Sequence, residues 1–128
     1  MSSNAVCQKP ADHATRHFLH QRITAVLLIP LSLWMLVFFN KAMSASYADT
    51  VSWLVSPVNV LAVMAWTILV IYHAALGVQV VLEDYVSTIP VRIAAIFISN
   101  FIFLILGIVA LSAVVFILYT QGNHGLYL

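Results

Sequence analysis

Along the chain, Asp, Glu, Lys and Arg fall into three short clusters, from Lys9 to Arg22, from Lys41 to Asp49 and from Glu83 to Arg92. The stretches between and after the clusters carry none of these residues. Apolar runs of this kind predict α-helices that cross a hydrocarbon core about 30 Å thick, which takes about 20 residues at ~1.5 Å each. Three such spans are expected, over about residues 22–40, 57–82 and 91–119. The first has about 18 uncharged positions, near the lower limit for crossing. A polar leader, 1–21, precedes them and a polar tail, 120–128, follows. Pro57 and Pro90 suit first-turn positions, where the missing N–H is not needed, whereas Pro30 inside span one predicts a local kink.

Composition strengthens this picture. The chain has 128 residues, of which 63% are hydrophobic and only 7% charged, and its mean hydropathy is +1.05. Soluble domains carry about 25% charged residues, and a chain this short has no core large enough to hide so much apolar surface. The expected fold class is therefore all-α, a single membrane domain over 1–128 whose outward faces meet lipid. No Gly-rich phosphate loop, CxxC pair or nucleophile motif occurs, which removes support for nucleotide or hydrolytic chemistry. Cys7 is alone and can form no internal disulfide. The leader is polar and the first apolar run is a full span, so no cleaved signal peptide is expected and Met1 should be retained. Asp12 and the paucity of Arg argue against a mitochondrial presequence.

Charge also sets orientation. Lys9, Arg16 and Arg22 precede span one and Arg92 lies between spans two and three, whereas Lys41 alone marks the other side. By the positive-inside rule the N-terminus and the loop from Glu83 to Pro90 face the cytoplasm of a bacterial cell, or the matrix of a mitochondrion. Whatever the sign, three crossings bring Arg22, Glu83, Asp84, Tyr85 and Arg92 to one rim.

From Val51 to Leu82 the only readily ionisable side chain is His73. An ionisable group inside a span is costly in lipid, so it should face protein and is a functional candidate. At about 100° per residue, His73, Gly77, Val80 and Asp84 form one stripe that runs ~16 Å from mid-membrane to the rim. Two readings of His73 compete: a hydrogen bond to a neighbouring helix with Gly77 as packing, or a metal or haem ligand. The spans offer no second His, Cys or carboxylate, so a haem with two His ligands would need another chain.

At the rim, Tyr85 is either an interfacial anchor or a phenol that donates a hydrogen bond to a quinone carbonyl, with Asp84 positioning it or pairing with an Arg. Arg22, flanked by His17, His20 and Gln21, is either a topology-setting charge or a ligand for a haem propionate or phosphate. Ala95, Ser99 and Asn100 in span three are of the type used for helix packing.

Taken together, His17-Phe18-Leu19-His20-Gln21-Arg22-Ile23-Thr24-Ala25, then His73-Ala74-Ala75-Leu76-Gly77, then Asp84-Tyr85, resemble the small cytochrome b membrane-anchor subunit of succinate dehydrogenase (complex II) over nearly the whole chain. That resemblance implies half of a heterodimeric haem-binding bundle, completed by a second three-span cytochrome b subunit. It also implies iron–sulfur and flavoprotein subunits held at the inner face of a bacterial inner membrane. His73 would be an axial ligand of a shared haem b, Arg22 would lie near a propionate, and Tyr85 would bond a ubiquinone carbonyl with support from Asp84. Electrons would pass from succinate to ubiquinone, in the tricarboxylic acid cycle and respiratory chain, and the chain alone would catalyse nothing. Two other readings stay open: a haem-free structural anchor, and the anchor of a menaquinone-using fumarate reductase.

Overall fold

The computed structural model describes the backbone of residues 9–124 and the side chains of residues 15–121. Cys7, the side chains of Lys9 and Asp12, the side chains beyond Gln121 and all of residues 125–128 lie outside that description. Four helices follow one another: α1 (Lys9–Ser44), α2 (Tyr47–Leu54), α3 (Pro57–Tyr85) and α4 (Ile89–His124). The chain is all-α among the described residues, and α1, α3 and α4 are each long and apolar enough to cross a membrane. At ~1.5 Å per residue the 29 residues of α3 span about 43 Å and the 36 of α1 about 54 Å. Both exceed a hydrocarbon core about 30 Å thick, so their polar ends emerge from it or the helices tilt. Pro57 opens α3 in its first turn, Pro90 is the second residue of α4, and α1 continues through Pro30.

The short helix α2 is not foreshadowed by the charge pattern. Ser46 caps it, its Oγ accepting from Asp49 N–H at 3.1 Å, and the carboxylate of Asp49 sits in the first turn, where the helix dipole favours it. Its apolar face buries Val51 and Leu54 against the spans. The carbonyl of Trp53, in the last turn, lacks an intrahelical partner; it accepts from Asn59 Nδ2 at 2.7 Å. Asn59 Oδ1 in turn accepts from Trp34 Nε1 at 3.2 Å. One buried amide thus joins α1, α2 and α3.

Packing places α3 at the centre, against α1 on one side and α4 on the other, while α1 and α4 barely touch. The core cluster of Met35, Leu54, Val60, Val63 and Val114 lies at the end of the spans that carries α2. Stacking of Phe38 on Trp53, ring centroids 5.9 Å apart, and an edge contact of Phe39 with Trp66 consolidate that end. At the other end, where Arg22, Tyr85 and Arg92 lie, only Thr24 and Leu76 are buried among the described residues. Only 6% of the most apolar stretch of α4 is buried, so lipid or other chains must cover its remaining faces. Ala95 and Ser99 of α4 line a groove with Val78 and Leu82 of α3, which is the packing use of small residues.

Candidate functional site

The less packed half of the molecule holds a polar seam between α1 and α3. His17, Gln21 and Thr24 recur at i, i+4 and i+7, which puts them on one face of α1. Antiparallel to them, α3 presents Tyr72, His73 and Gly77. His20 Nδ1 lies 2.9 Å from the Tyr72 hydroxyl, and one step deeper Thr24 Oγ1 lies 2.9 Å from His73 Nδ1. Towards the rim, a β-carbon on Gly77 would sit 3.4 Å from Gln21 Nε2, so the approach that Gly77 allows is taken by a side chain of α1.

His73 is half-buried and turned towards α1, about 18 Å along α3 from Tyr85. Its Nδ1 is engaged. Its Nε2 makes no hydrogen bond among the described residues and, unlike the Nε2 of His17, is not shielded inside the chain. The hydrogen bond to a neighbouring helix and a ligand role are therefore compatible, because they use different ring nitrogens. Among the described residues no three His, Cys, Asp or Glu side chains gather to hold a metal ion. Two further polar atoms stand out, His17 Nε2 and Gln21 Oε1, which are buried with no hydrogen-bond partner among the described residues. An unsatisfied buried polar group costs about 1–3 kcal/mol, so both favour a polar partner from outside the described chain, such as water, a ligand or another subunit.

The rim is open. Tyr85 is 84% exposed, and Asp84 beside it is exposed with no hydrogen bond to Tyr85 or to an arginine. Glu83 is the better connected acid: its Oε1 accepts from Gln79 Nε2 at 2.8 Å, and Arg92 Nη1 reaches its carbonyl at 3.5 Å. Arg22 lies two residues from Thr24, about 200° around α1, so it projects away from the seam. Its guanidinium stands 5.0 Å over the Phe18 ring. The stripe from His73 to Asp84 is continuous in sequence but changes environment, from half-buried at His73 and Gly77 to exposed at Val80 and Asp84. A separate apolar groove of about 310 Å³ lies between α3 and α4, lined by Ile71, Ala75, Gly107 and others, with Tyr72 and Asn100 among its few polar groups.

A half-buried, mid-span histidine between two helices, above an Asp-Tyr rim, invites comparison with known membrane subunits. The model of the succinate dehydrogenase/fumarate reductase transmembrane subunit family matches residues 6–118. The chain belongs to that family. A succinate dehydrogenase hydrophobic membrane anchor subunit of Rickettsia bellii is 41% identical over 107 residues, covering 83% of this chain and 84% of the relative. Proteins of the same description from Rickettsia felis and Rickettsia prowazekii are 35% and 30% identical, covering 66% and 90% of this chain and 70% and 89% of the relatives. No solved structure matches significantly.

Within this succinate dehydrogenase/fumarate reductase family member, the structure brings together His73, Gly77, Gln21 and Thr24, whereas no hydrogen bond or ion pair among the described residues links Arg22, Asp84 and Tyr85. Thr24 and Tyr72 are the functional candidates that sequence reasoning passes over. A depth argument could have found Thr24: α1 begins and α3 ends at the same rim, so a polar residue about four turns into α1 meets one about three turns from the end of α3.

Proposed function

We propose that this chain is a hydrophobic membrane-anchor subunit of a succinate dehydrogenase, giving one axial ligand to a haem b shared with a second anchor subunit and one wall of a ubiquinone site at the inner rim. The observation that carries the reading is the state of His73. It is a mid-span imidazole held at Nδ1 by Thr24, with Nε2 free of any bond to the described chain. The donor set fits a haem iron, because the porphyrin fills four positions and one imidazole per chain suffices, whereas a bare ion would need more ligands. The shielded His17 Nε2 and Gln21 Oε1 supply unpaired polar capacity on the rim side of His73, where polar arms or water would be needed.

When bound, the haem supplies a one-electron store beside the quinone. The chain's own residues hold, orient and shield. The exposed phenol of Tyr85 would donate a hydrogen bond to a quinone carbonyl, with the carboxylate of Asp84 next to it. Arg22 would have to leave Phe18 to reach a propionate, an assignment resting on resemblance. Iron–sulfur and flavoprotein partners would dock at this rim, which faces the cytoplasm of a bacterial inner membrane. The relatives' names favour succinate oxidation over fumarate reduction, although the family description covers both.

The test is a reduced-minus-oxidised optical spectrum of the complex purified with its partner subunits, repeated with His73→Ala. A b-type band in the wild type that is lost in the variant is expected. A wild-type complex without that band, or a variant that keeps it unchanged, would overturn the haem assignment.

A further inference from the structure

Thr24 Oγ1 has three polar neighbours and one proton. It lies 2.8 Å from the carbonyl of His20, 3.1 Å from the carbonyl of Gln21 and 2.9 Å from His73 Nδ1. Carbonyl oxygens only accept, so either of the first two contacts requires the hydroxyl to donate within α1. That back-bond uses the proton. What Thr24 then offers His73 is a lone pair, and the imidazole meets it only by carrying a hydrogen on Nδ1. A neutral imidazole protonated at Nδ1 has its free electron pair on Nε2. Thr24 is 5% exposed, so water does not compete for either contact.

We infer that Thr24 is a positioning residue for His73: by accepting from Nδ1–H it selects the imidazole tautomer whose Nε2 can ligate and fixes the ring plane against α1. The inference rests on the haem reading above and deepens it. The partner of a ligating histidine's second nitrogen holds the ring's orientation and makes the ligand more electron-donating. Two features of the surroundings support a single fixed arrangement. Leu76 is buried one turn after His73, and the adjacent rung between His20 and Tyr72 ties the same two helices. A hydroxyl is a milder acceptor than the carboxylate often found in this role, so it orients the ring without placing a full charge in the membrane.

The test uses the assembled complex and three variants, Thr24→Val, Thr24→Ser and Thr67→Val. Thr67 is the control. It is equally a buried threonine, 8% exposed, but its hydroxyl bonds only the Val63 carbonyl within α3. Thr24→Val keeps the shape and removes the acceptor. Haem affinity should fall on the order of 10-fold or more. In the haem that remains, the midpoint potential should shift to more positive values, since a weaker donor stabilises the ferric state less, and the low-temperature electron paramagnetic resonance g-values should change. Thr24→Ser should keep all three near wild type, and Thr67→Val should leave all three unmoved. Equal losses in the two valine variants would reduce Thr24 to a packing residue and overturn the inference. So would an unchanged potential and g-values in Thr24→Val, or failure of serine to keep them near wild type. Absence of haem from the wild type would instead remove the reading on which the inference rests, which keeps the two failures distinguishable.

Discussion

Tyr85 and His73 are on the same helix, yet their surroundings ask for opposite things. His73 is half-buried with one nitrogen committed, whereas Tyr85 is 84% exposed and its hydroxyl bonds nothing in the described chain. A phenol left open at a rim can serve an incoming carbonyl, and removing only the hydroxyl isolates that role. Tyr85→Phe should lower ubiquinone reduction by the complex while succinate oxidation by an artificial dye stays near wild type. The expected loss is on the order of 5- to 30-fold, matching one hydrogen bond of about 1–2 kcal/mol. Equal loss of both activities would count against it. His73 was legible from sequence because an ionisable group in an apolar run is costly and conspicuous. Thr24 was not, since threonine is common in spans and its meaning depends on which residue of a second helix it meets. Among the described residues Asp84 makes no hydrogen bond or ion pair with Tyr85 or an arginine, so its part in the site rests on what partners bring to the rim.

At the scale of elements, three spans follow directly from charge-free stretches, but their neighbours do not. Helices that are apolar nearly all round, as these are, announce no preferred face, so the central place of α3 depends on packing detail such as Gly77, Ala95 and Ser99. Short α2 was hidden because its eight residues lie in the polar connection between spans one and two. It is fixed by Asn59, whose amide joins the carbonyl of Trp53 to the indole of Trp34. Leucine there would fill similar space, leave the Trp53 carbonyl with only the longer 3.4 Å contact from Ser56 N–H, and take the acceptor from the Trp34 indole N–H. Asn59→Leu should therefore destabilise the end that carries α2 by about 1–3 kcal/mol, seen as a lower temperature of heat inactivation for the detergent-extracted complex. An unchanged inactivation temperature would show that other groups, or water, take over both bonds.

Over the whole molecule, the two ends differ in kind. The end with α2 has a packed core and stacked aromatic rings; the opposite end has the polar seam, the exposed Asp84 and Tyr85, and the cations Arg16, Arg22 and Arg92. An end that packs on itself needs little from partners, whereas one with shielded unpaired atoms and open polar groups is where ligands or other subunits would complete the structure. By the positive-inside rule the cation-rich end would face the cytoplasm, with Lys41 alone at the other. Site and topology thus make one joint claim, that the functional rim is the cytoplasmic one. It can be checked by placing single cysteines at Ser46, before α2, and Ser87, in the loop between α3 and α4, in a Cys7→Ser background. Intact spheroplasts treated with a membrane-impermeant maleimide should label Ser46→Cys and spare Ser87→Cys until the membrane is permeabilised. The reverse pattern would invert the topology and put the Tyr85 rim on the side away from any cytoplasmic iron–sulfur partner. The proposed quinone site would then lose its electron source, whatever the state of His73.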